Sequence, residues 1–325
     1  MKVENLNKIN DSVKDELSEF NKKFRESLKS NISIVDLVTK YILKQKGKKV
    51  RPLLVLLAAN LSGGITERSY RGATLVELLH TATLVHDDVV DSADKRRGLP
   101  SINSIWKNKI SVLMGDYLLS RGLMISVDGE DFDFLKVMTL TVKRMSEGEL
   151  LQISKTRKLD IDEETYFRIV SDKTASLLST CCEIGALSAS DNEEYHKALK
   201  DYGENLGIAF QIRDDILDLI GTALFGKSIG GDIKEKKLTL PLISALKNVS
   251  KDEADKILKL IKKADKKDNL NKIIEFIKEN GGIEYATEKA KEYASKAKDS
   301  LNVFDDSESK QALQDLVDFV LDRKK

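Results

Sequence analysis

Residues 77–101 read ELLHTATLVHDDVVDSADKRRGLPS, and three aspartates follow an apolar run within this stretch. These aspartates are Asp87, Asp88 and Asp91. Each residue of a helix turns by about 100°, so His80, Asp87 and Asp91 would share one helical face. Asp88 would lie beside that face. Such an arrangement of carboxylates can hold a metal ion.

Two arginines, Arg96 and Arg97, follow the aspartates after a short step. Mg²⁺ gives up its water reluctantly and is usually held by one or two carboxylates together with substrate phosphates. Acids with arginines just beyond them therefore predict a magnesium-bridged diphosphate. The alternative for this segment alone is a solvated acidic helix end followed by a basic turn.

A second segment, FQIRDDILDL at residues 210–219, repeats the spacing of acids after another apolar run. Its aspartates are Asp214, Asp215 and Asp218. Gln211 precedes Asp218 by seven positions and falls on the same helical face. If the two helices face each other, six carboxylates converge on one cavity, where like charges disfavour each other's ionisation unless cations are present. The two segments together predict a site for several metal ions.

The composition predicts a nearly all-α protein. Helix-forming residues are abundant, whereas the 325 residues include only three prolines and 18 glycines. Stretches in which apolar and polar residues alternate strictly are rare, which argues against strands. With 41% hydrophobic residues, the chain can bury a sizeable core. We expect residues 1–325 to form one domain, a single large helical bundle.

Charge and cysteine usage exclude several classes of function. The 54 basic and 53 acidic residues nearly cancel, so no overall field would hold nucleic acid. The two cysteines, Cys181 and Cys182, are adjacent and lack the spacing of a zinc site. The chain shows no secretory leader and no apolar run of the roughly 20 residues that span a bilayer. We therefore expect a cytoplasmic protein without a transmembrane segment.

Basic residues crowd together at 44–51, just before the apolar run RPLLVLLAA. Lys48 and Arg51 are three positions apart and can meet on one side of a helix. There an arginine fork and a mobile ammonium group complement a diphosphate. A nuclear-localisation or RNA-binding patch is the alternative, but the run is short and passes directly into a buried helix.

Two further cationic positions indicate phosphate binding. Lys173 and its neighbour Thr174 lie in an otherwise apolar helix predicted at 165–188. A lysine buried there would need an anionic partner, which a substrate diphosphate would supply. Lys227 and Lys237 bracket a glycine-rich loop that could fold over phosphates, although this loop lacks the spacing of a P-loop.

Two other charged segments are predicted to carry little chemistry. The acidic stretch DGEDFDF at 128–134 does not place its acids on one helical face, and we expect a solvated loop there. From Asn248 onward the chain is rich in lysine and glutamate, and it is expected to complete the bundle with an exposed charged face.

From Lys46 to Pro241 the chain resembles, in order, the trans-isoprenyl diphosphate synthases, or polyprenyl synthases. The resemblance is carried by KGKKVRP (46–52), HDDVVD (86–91), RRG (96–98), DKTASL (172–177), FQIRDDILD (210–218) and FGKSIGGDIKEKKLTLP (225–241). Lys46 stands where many members have glycine, and Lys236 stands where a glycine often precedes the equivalent of Lys237. These departures concern details of phosphate positioning.

The resemblance implies the isoprenoid synthase fold, an all-α bundle with a central apolar cavity, and Mg²⁺-dependent prenyl transfer. It implies that three Mg²⁺ ions are held by the six aspartates. Contacts to an allylic diphosphate are implied for Arg96, Lys173 and Lys227. Contacts to isopentenyl diphosphate are implied for Lys48, Arg51, His80 and Arg97. Further substrate contacts are implied for Thr174, Gln211 and Lys237, and a homodimer is expected.

The length of the product depends on the residues below the first aspartate segment. Ala82 and Thr83 lie five and four positions before Asp87, one turn deeper on the same helix. In short-chain relatives, bulky aromatic residues close the tunnel in this region. The small side chains here predict hexaprenyl to octaprenyl diphosphate, as used for quinone side chains, made from a farnesyl or geranylgeranyl primer. The alternative is a shorter-chain farnesyl or geranylgeranyl diphosphate synthase.

Three other functions were weighed. A terpene cyclase would share the fold, but two acid segments together with KGKKVRP and His80 favour two diphosphate substrates. A metal-dependent phosphohydrolase would not explain the apolar helices that lead into both segments. A non-catalytic partner subunit of a heteromeric synthase would usually lack the aspartates, and all six are present.

Overall fold

Helices make up nearly all the secondary structure of the computed structural model, which describes residues 9–45, 47, 49–220, 229–264 and 266–323. The described strands are β1 (Lys95–Arg96) and β2 (Leu99–Pro100), which pair antiparallel with Lys95 opposite Pro100. Long helical segments with few breakers form because each backbone group finds its partner within the segment. The prediction of an all-α fold is confirmed.

The helices of the described residues follow one another in chain order. The first group is α1 (Lys14–Ser27), α2 (Ser33–Lys44), α3 (Val50–Ser62), α4 (Glu67–Val90), α5 (Ile102–Asp128), α6 (Phe132–Lys158), α7 (Glu163–Val170) and α8 (Ser176–Leu187). The second group is α9 (Glu193–Ile220), α10 (Gly231–Lys234), α11 (Leu240–Lys247), α12 (Lys251–Ile261), α13 (Lys267–Glu279), α14 (Gly282–Asp299) and α15 (Glu308–Asp322). A π-helical turn (Ser171–Ala175) joins α7 to α8, and a 3₁₀ turn (Ser300–Val303) follows α14.

The centre of the molecule is built on α3 and α8. Residues 53–59 of α3 are fully buried, because a helix that is apolar all round must be covered on every side. Helix α3 packs against α8, and α8 packs against α9. The contact is close at Gly185, where an added Cβ would lie 2.4 Å from the Val55 carbonyl oxygen. Glycine at this position therefore allows the two backbones to approach each other.

Helix α4, which carries the first acid segment, packs along α5. The sequence pattern predicts a helix from Tyr70 to Asp91, but the helix begins three residues earlier, at Glu67, because a capping box is formed there. Thr66 accepts a hydrogen bond from the Ser69 amide, and the Ser69 hydroxyl accepts one from the Thr66 amide. The helix ends at Val90, so the three aspartates occupy its last turn and its C-cap.

The acidic stretch 128–134 is not a solvated loop, as was expected from its spacing. Asp131 is 1% exposed and accepts hydrogen bonds from Arg68 Nε at 2.9 Å and Arg71 Nε at 2.7 Å. Asp133 also pairs with Arg68. The partners lie some 60 residues earlier in the chain, so helical periodicity within the stretch could not reveal them. These pairs tie the start of α4 to the start of α6.

Helices α5 and α6 leave large apolar side chains in contact with solvent. By length and composition alone, α5 is long and apolar enough to cross a membrane, and about a third of its most apolar window is buried. Leu113 is 55% exposed on α5, and Phe132 is 63% exposed at the start of α6. Met124, Val127 and Leu140 are also exposed. Exposed apolar side chains on two helices that contact each other are a feature of interaction surfaces.

Candidate active site

The first acid segment lies at the end of α4, and its aspartates differ in environment. Asp88 is buried and accepts a hydrogen bond from Arg96 Nε at 2.8 Å, and the ion pair also brings Arg96 Nη2 to 2.6 Å from Asp88 Oδ1. The Asp87 side chain, in contrast, is exposed. Limited hydration raises the pKa of the Asp87 carboxyl, and the Asp91 and Glu149 carboxylates raise it further, whereas Lys173 and Arg96 oppose them. A bound cation would favour the charged form of Asp87.

A cleft on one side of α4 has an excess of positive charge. The charged residues that line it are Lys49, Glu77, Asp88, Arg96 and Arg97. Arg97 reaches this cleft from a left-handed turn (φ 52°), and its guanidinium lies against Gly47, where an added Cβ would be 2.4 Å from Nη1. Glycine in the KGKKVRP segment thus makes room for the arginine.

Arg51 lies behind this cleft with its Nε atom buried and without a hydrogen bond to any described residue. Burial lowers the pKa of Arg51, while Cys181 and Glu77 oppose that effect. A buried guanidinium donor without a partner is costly, and the Arg51 charge adds to the positive potential beside the cleft, where it acts on Glu77 and His80. The observation fits the diphosphate predicted for this segment.

His80 is buried close to these arginines. Burial lowers its pKa to about 2, and the nearby Arg51, Arg97 and Arg96 charges act in the same direction. The imidazole is therefore neutral at physiological pH and offers one donor and one acceptor. Although His80 shares a helix with Asp87, the charges that act on it are those of the arginines.

Glu77 was missed by the sequence reasoning. It lies one turn before His80 and lines the same cleft. Burial raises the pKa of its carboxyl, against the opposing charges of Arg51, Arg97 and Lys49. Its spacing of three residues from His80 on an apolar helix was the available signal. Glu77 partly balances the cations when the cleft holds no anion.

The second acid segment lies near the end of α9, where Asp215 is buried. Tyr166 Oη donates to Asp215 Oδ2 at 2.6 Å, and Gln211 Nε2 donates to Oδ1 at 2.9 Å. Gln211 in turn accepts a hydrogen bond from Thr174 Oγ1 at 3.0 Å. Burial raises the pKa of Asp215 to about 8, with a further contribution from Asp232. The predicted Thr174 and Gln211 thus meet at this aspartate, together with Tyr166, which was not predicted.

Asp218 is held by the described part of the glycine-rich segment between Lys227 and Lys237, which forms the short helix α10 and not a loop throughout. Its carboxylate accepts hydrogen bonds from the Gly231 and Asp232 amides, each at 3.1 Å, at the start of the short helix α10. Burial raises the pKa of Asp232 to about 6, and the Asp218 charge contributes. Lys237 lies near this pair and donates to Glu235 at 2.5 Å. A fourth acid therefore lies beside the second segment.

Lys173 projects from the π-helical turn between α7 and α8. The sequence predicted a continuous helix here, but the chain makes one wider turn, a feature often found at functional sites. Lys173 Nζ donates to Gln152 Oε1 at 2.8 Å and pairs with Glu149. Without a substrate, this cation is thus held by two groups from α6.

The two acid segments border a common region. An open cavity of about 120 Å³ is lined by Lys173, Thr174, Gln211, Asp215 and Lys237, among others. Glu149, which pairs with Lys173, acts electrostatically on both Asp87 and Lys237. The charged groups of α4, α6, α9 and the turn before α8 therefore face one another.

Among the described residues, no three acidic, histidine or cysteine side chains stand close enough to hold a metal ion by themselves. Oxygen ligands from two facing segments nevertheless fit Mg²⁺, which is usually shared between carboxylates and substrate phosphates. Lys173 and Lys237 line the cavity beside Asp215 and Asp232, and these cations fit the diphosphate that such sharing requires.

The remaining predicted residues are placed as follows. Lys48 and Lys227 lie outside the described residues. Ala82 is buried in α4, and Thr83 is partly buried with its hydroxyl donating to the His80 carbonyl oxygen at 2.9 Å.

The amino-acid sequence was compared with protein families and with known proteins. The polyprenyl synthetase family model matches residues 32–277. The octaprenyl diphosphate synthase of Haemophilus influenzae is 34% identical over 324 residues, covering 99% of this chain and 98% of the relative. The geranylgeranyl diphosphate synthase of Saccharolobus solfataricus is also 34% identical, over 94% of this chain and 95% of the relative.

A solved structure extends the comparison to the fold. The polyprenyl synthase of Caulobacter crescentus, crystallised with calcium and isoprenyl diphosphate, superposes with a TM-score of 0.89 at 32% identity over 98% of both chains. Its fold and length are those of the chain described above. The chain belongs to the polyprenyl synthetase family and is a prenyltransferase of isoprenoid biosynthesis.

Proposed function

We propose that the protein is a long-chain polyprenyl diphosphate synthase. It condenses isopentenyl diphosphate with a farnesyl or geranylgeranyl primer and releases hexaprenyl to octaprenyl diphosphate for quinone side chains. The observation that carries the chain length is the small, buried Ala82 next to Thr83, below the first acid segment. The octaprenyl-producing relative supports this length, whereas the geranylgeranyl-producing relative, at equal identity, supports the shorter alternative.

The two substrates would occupy two regions of the site. Isopentenyl diphosphate binds in the cationic cleft, where Arg51 and Arg97 form charge-assisted hydrogen bonds with it and neutral His80 donates one more. Lys48 is proposed to add a further cation. The allylic diphosphate binds between the acid segments, where Arg96, Lys173 and Lys227 contact it and Lys237, Thr174 and Gln211 line its pocket.

Mg²⁺, when bound, would be shared between this diphosphate and carboxylates of the six aspartates, and we propose three ions. The metal supplies stabilisation of the negative charge on the leaving diphosphate. Asp88, Asp215 and Asp218 are already oriented by Arg96, by Tyr166 and Gln211, and by the backbone amides of α10. Such preorganisation avoids reorganising the acids during the reaction.

Lys173 has a specific part in the binding step. Its ammonium group leaves Glu149 and contacts the incoming allylic diphosphate, because the diphosphate carries a larger negative charge than the Glu149 carboxylate. The allylic C–O bond then breaks, and the isopentenyl double bond attacks the resulting carbocation. The departing diphosphate takes the proton that is lost. The apolar helices around the site keep water from the cation.

The proposal is tested by incubating purified protein with Mg²⁺, labelled isopentenyl diphosphate and either primer. The dephosphorylated products are then separated by chain length. A series that ends at hexaprenyl to octaprenyl supports the proposal. A product that stops at farnesyl or geranylgeranyl supports the shorter-chain alternative. No incorporation by the protein alone would favour a partner subunit.

We also propose a homodimer in the cytoplasm. The exposed apolar side chains of α5 and α6 support the dimer, because a second copy would remove them from water. Burial in a dimer interface would also account for the apolar surface of α5 without insertion into a membrane.

A further inference from the structure

The last described residue lies against the second acid segment. Arg323 follows helix α15, and its amide donates to the Phe319 carbonyl oxygen at 3.1 Å. Its guanidinium is almost fully buried, with Cζ 4.0 Å from the centroid of the Phe210 ring. Phe210 is the first residue of the segment FQIRDDILD. Arg323, just after α15, therefore packs on α9 at the second acid segment.

Hydrogen bonds join Arg323 to this segment in both directions. Arg323 Nη2 donates to the Phe210 carbonyl oxygen at 2.9 Å and to Asp214 Oδ1 at 2.5 Å. In return, Arg213 donates to the Arg323 carbonyl oxygen from Nη2 at 2.9 Å and from Nε at 3.2 Å. Arg323 Nε is buried and makes no hydrogen bond within the described chain.

A guanidinium in this position needs a compensating anion, because burial of an unpaired charge is costly. Asp214 supplies that anion. The hydrogen bond from Arg323 also restricts the Asp214 side chain, because stacking on Phe210 holds the Arg323 guanidinium in place. A carboxylate has about four acceptor positions, so a hydrogen bond at one oxygen is compatible with a cation on the same group.

The other acids of the segment have comparable anchors. Asp215 is held by Tyr166 and Gln211, and Asp218 by the backbone amides of α10. Groups that orient metal ligands in this way strongly affect metal affinity. Each aspartate of the second segment thus has its own support, and for Asp214 it comes from the opposite end of the chain.

We propose that Arg323 is a positioning residue for prenyl transfer, which directs the Asp214 carboxylate towards the cation-bridged diphosphate. The inference rests on the proposed function, because it assigns Asp214 to that diphosphate. Arg323 acts through Asp214 and does not itself contact the reacting atoms. The C-terminal helix α15 thereby becomes part of the catalytic framework.

The test is calorimetric titration of Mg²⁺ in the presence of inorganic diphosphate, for the wild type and for Arg323→Gln. The variant should bind about tenfold more weakly. The Mg²⁺ concentration for half-maximal turnover should rise by a similar factor, while the KM for isopentenyl diphosphate changes less than about twofold. Arg323→Lys keeps the charge but loses the planar guanidinium and its stacking on Phe210. Its affinity for Mg²⁺ and diphosphate should therefore lie between those of the wild type and Arg323→Gln. This variant provides the test if Arg323→Gln does not fold.

A matched control separates positioning from stability. Lys298→Met removes the 2.6 Å ion pair between α14 and Asp318 of α15, far from Asp214. It should change the melting temperature without changing the affinity for Mg²⁺ and diphosphate. If Arg323→Gln behaves in the same way, Arg323 only anchors the helix and the inference is wrong.

A second measurement tests the route through Asp214. In an Asp214→Asn background, adding Arg323→Gln should weaken Mg²⁺ and diphosphate binding by less than about twofold, because the interaction is already lost. Fully additive effects would overturn the inference. A wild-type protein that binds Mg²⁺ and diphosphate but elongates no primer would instead contradict the proposed function.

Discussion

Asp215 shows how a binding site can reduce the stability of the free protein. Its buried carboxyl has a pKa of about 8, against an ordinary value of 3.8. A raised folded-state pKa means that the favourable contribution is present at acidic pH and is lost as the pH rises from the unfolded towards the folded value. The ionised form is therefore unfavourable in the metal-free protein at pH 8.

We expect Asp215→Asn to raise the melting temperature of the metal-free protein by roughly 2–5 °C at pH 8, because the amide stays neutral. At pH 4 the change should be small. Scanning calorimetry at both pH values measures the difference, and Asp255→Asn on the exposed face of α12 is the control. An equal shift at both pH values would argue against the assigned ionisation.

Arg51 allows a second prediction at the scale of one residue. Its guanidinium charge acts on Glu77 and His80 beside the cationic cleft, and it would attract an isopentenyl diphosphate bound there. Arg51→Met should raise the KM for isopentenyl diphosphate about 10–100-fold, the range for a lost hydrogen bond to a charged group. The KM for the allylic primer should change little. Steady-state rates with each substrate varied in turn would show this, with Arg157→Met on the exposed side of α6 as control.

Single residues could be proposed for the site where the sequence places unusual side chains together, and their roles remain predictions. The two acid segments and the arginines after the first could be recognised because charges next to apolar runs need partners. Tyr166 was not recognised because an isolated tyrosine on a helix has no distinctive spacing, and Glu77 was not recognised because its spacing from His80 does not show that arginines surround it. Glu77 interacts with Arg51, and Tyr166 donates a hydrogen bond to Asp215, only in the folded chain.

At the scale of elements, α4 carries both chemistry and the proposed control of product length. Its last turn holds the aspartates, one side of its middle lines the cationic cleft, and Ala82 is buried one turn below Asp87. A large side chain at position 82 would fill space that a growing prenyl chain would need, because protein interiors contain few voids.

Ala82→Phe should therefore shorten the product, with the distribution moving towards geranylgeranyl or farnesyl diphosphate. Chromatography of the dephosphorylated products gives the distribution directly. Thr83→Val is the matched control, since it keeps the size of the side chain and removes only the hydrogen bond to the His80 carbonyl oxygen. An unchanged length in Ala82→Phe would show that the end of the tunnel lies elsewhere.

Elements were predicted reliably in type and less reliably in detail. The helix that bears the first acids was expected, but its start moved to Glu67 because of the capping box. The π-helical turn at Ser171–Ala175 was not expected, because local residue preferences do not distinguish a wide turn from a regular one. That turn determines where Lys173 points.

At the scale of the whole molecule, the exposed apolar surface of α5 and α6 predicts association. Light scattering after size exclusion should give about twice the chain mass of 36.4 kDa. Leu113→Glu combined with Met124→Glu should shift the protein towards a monomer, because burial of two carboxylates is unfavourable. Val303→Glu, at an exposed apolar position in the 3₁₀ turn, is the control. A wild-type protein of single-chain mass would contradict the dimer.

The sequence by itself determined the helical class, the family and the two acid segments, because helix preference, apolar spacing and clustered charge are local properties. Only the tertiary structure decided which groups support those acids. Asp131 pairs with arginines from α4, and Asp214 meets Arg323 from 109 residues further along. The segment after Asn248 was expected only to complete the bundle, yet it contributes Arg323 to the second acid segment. Burial and pairing over such separations depend on packing, so no local pattern in the sequence encodes them.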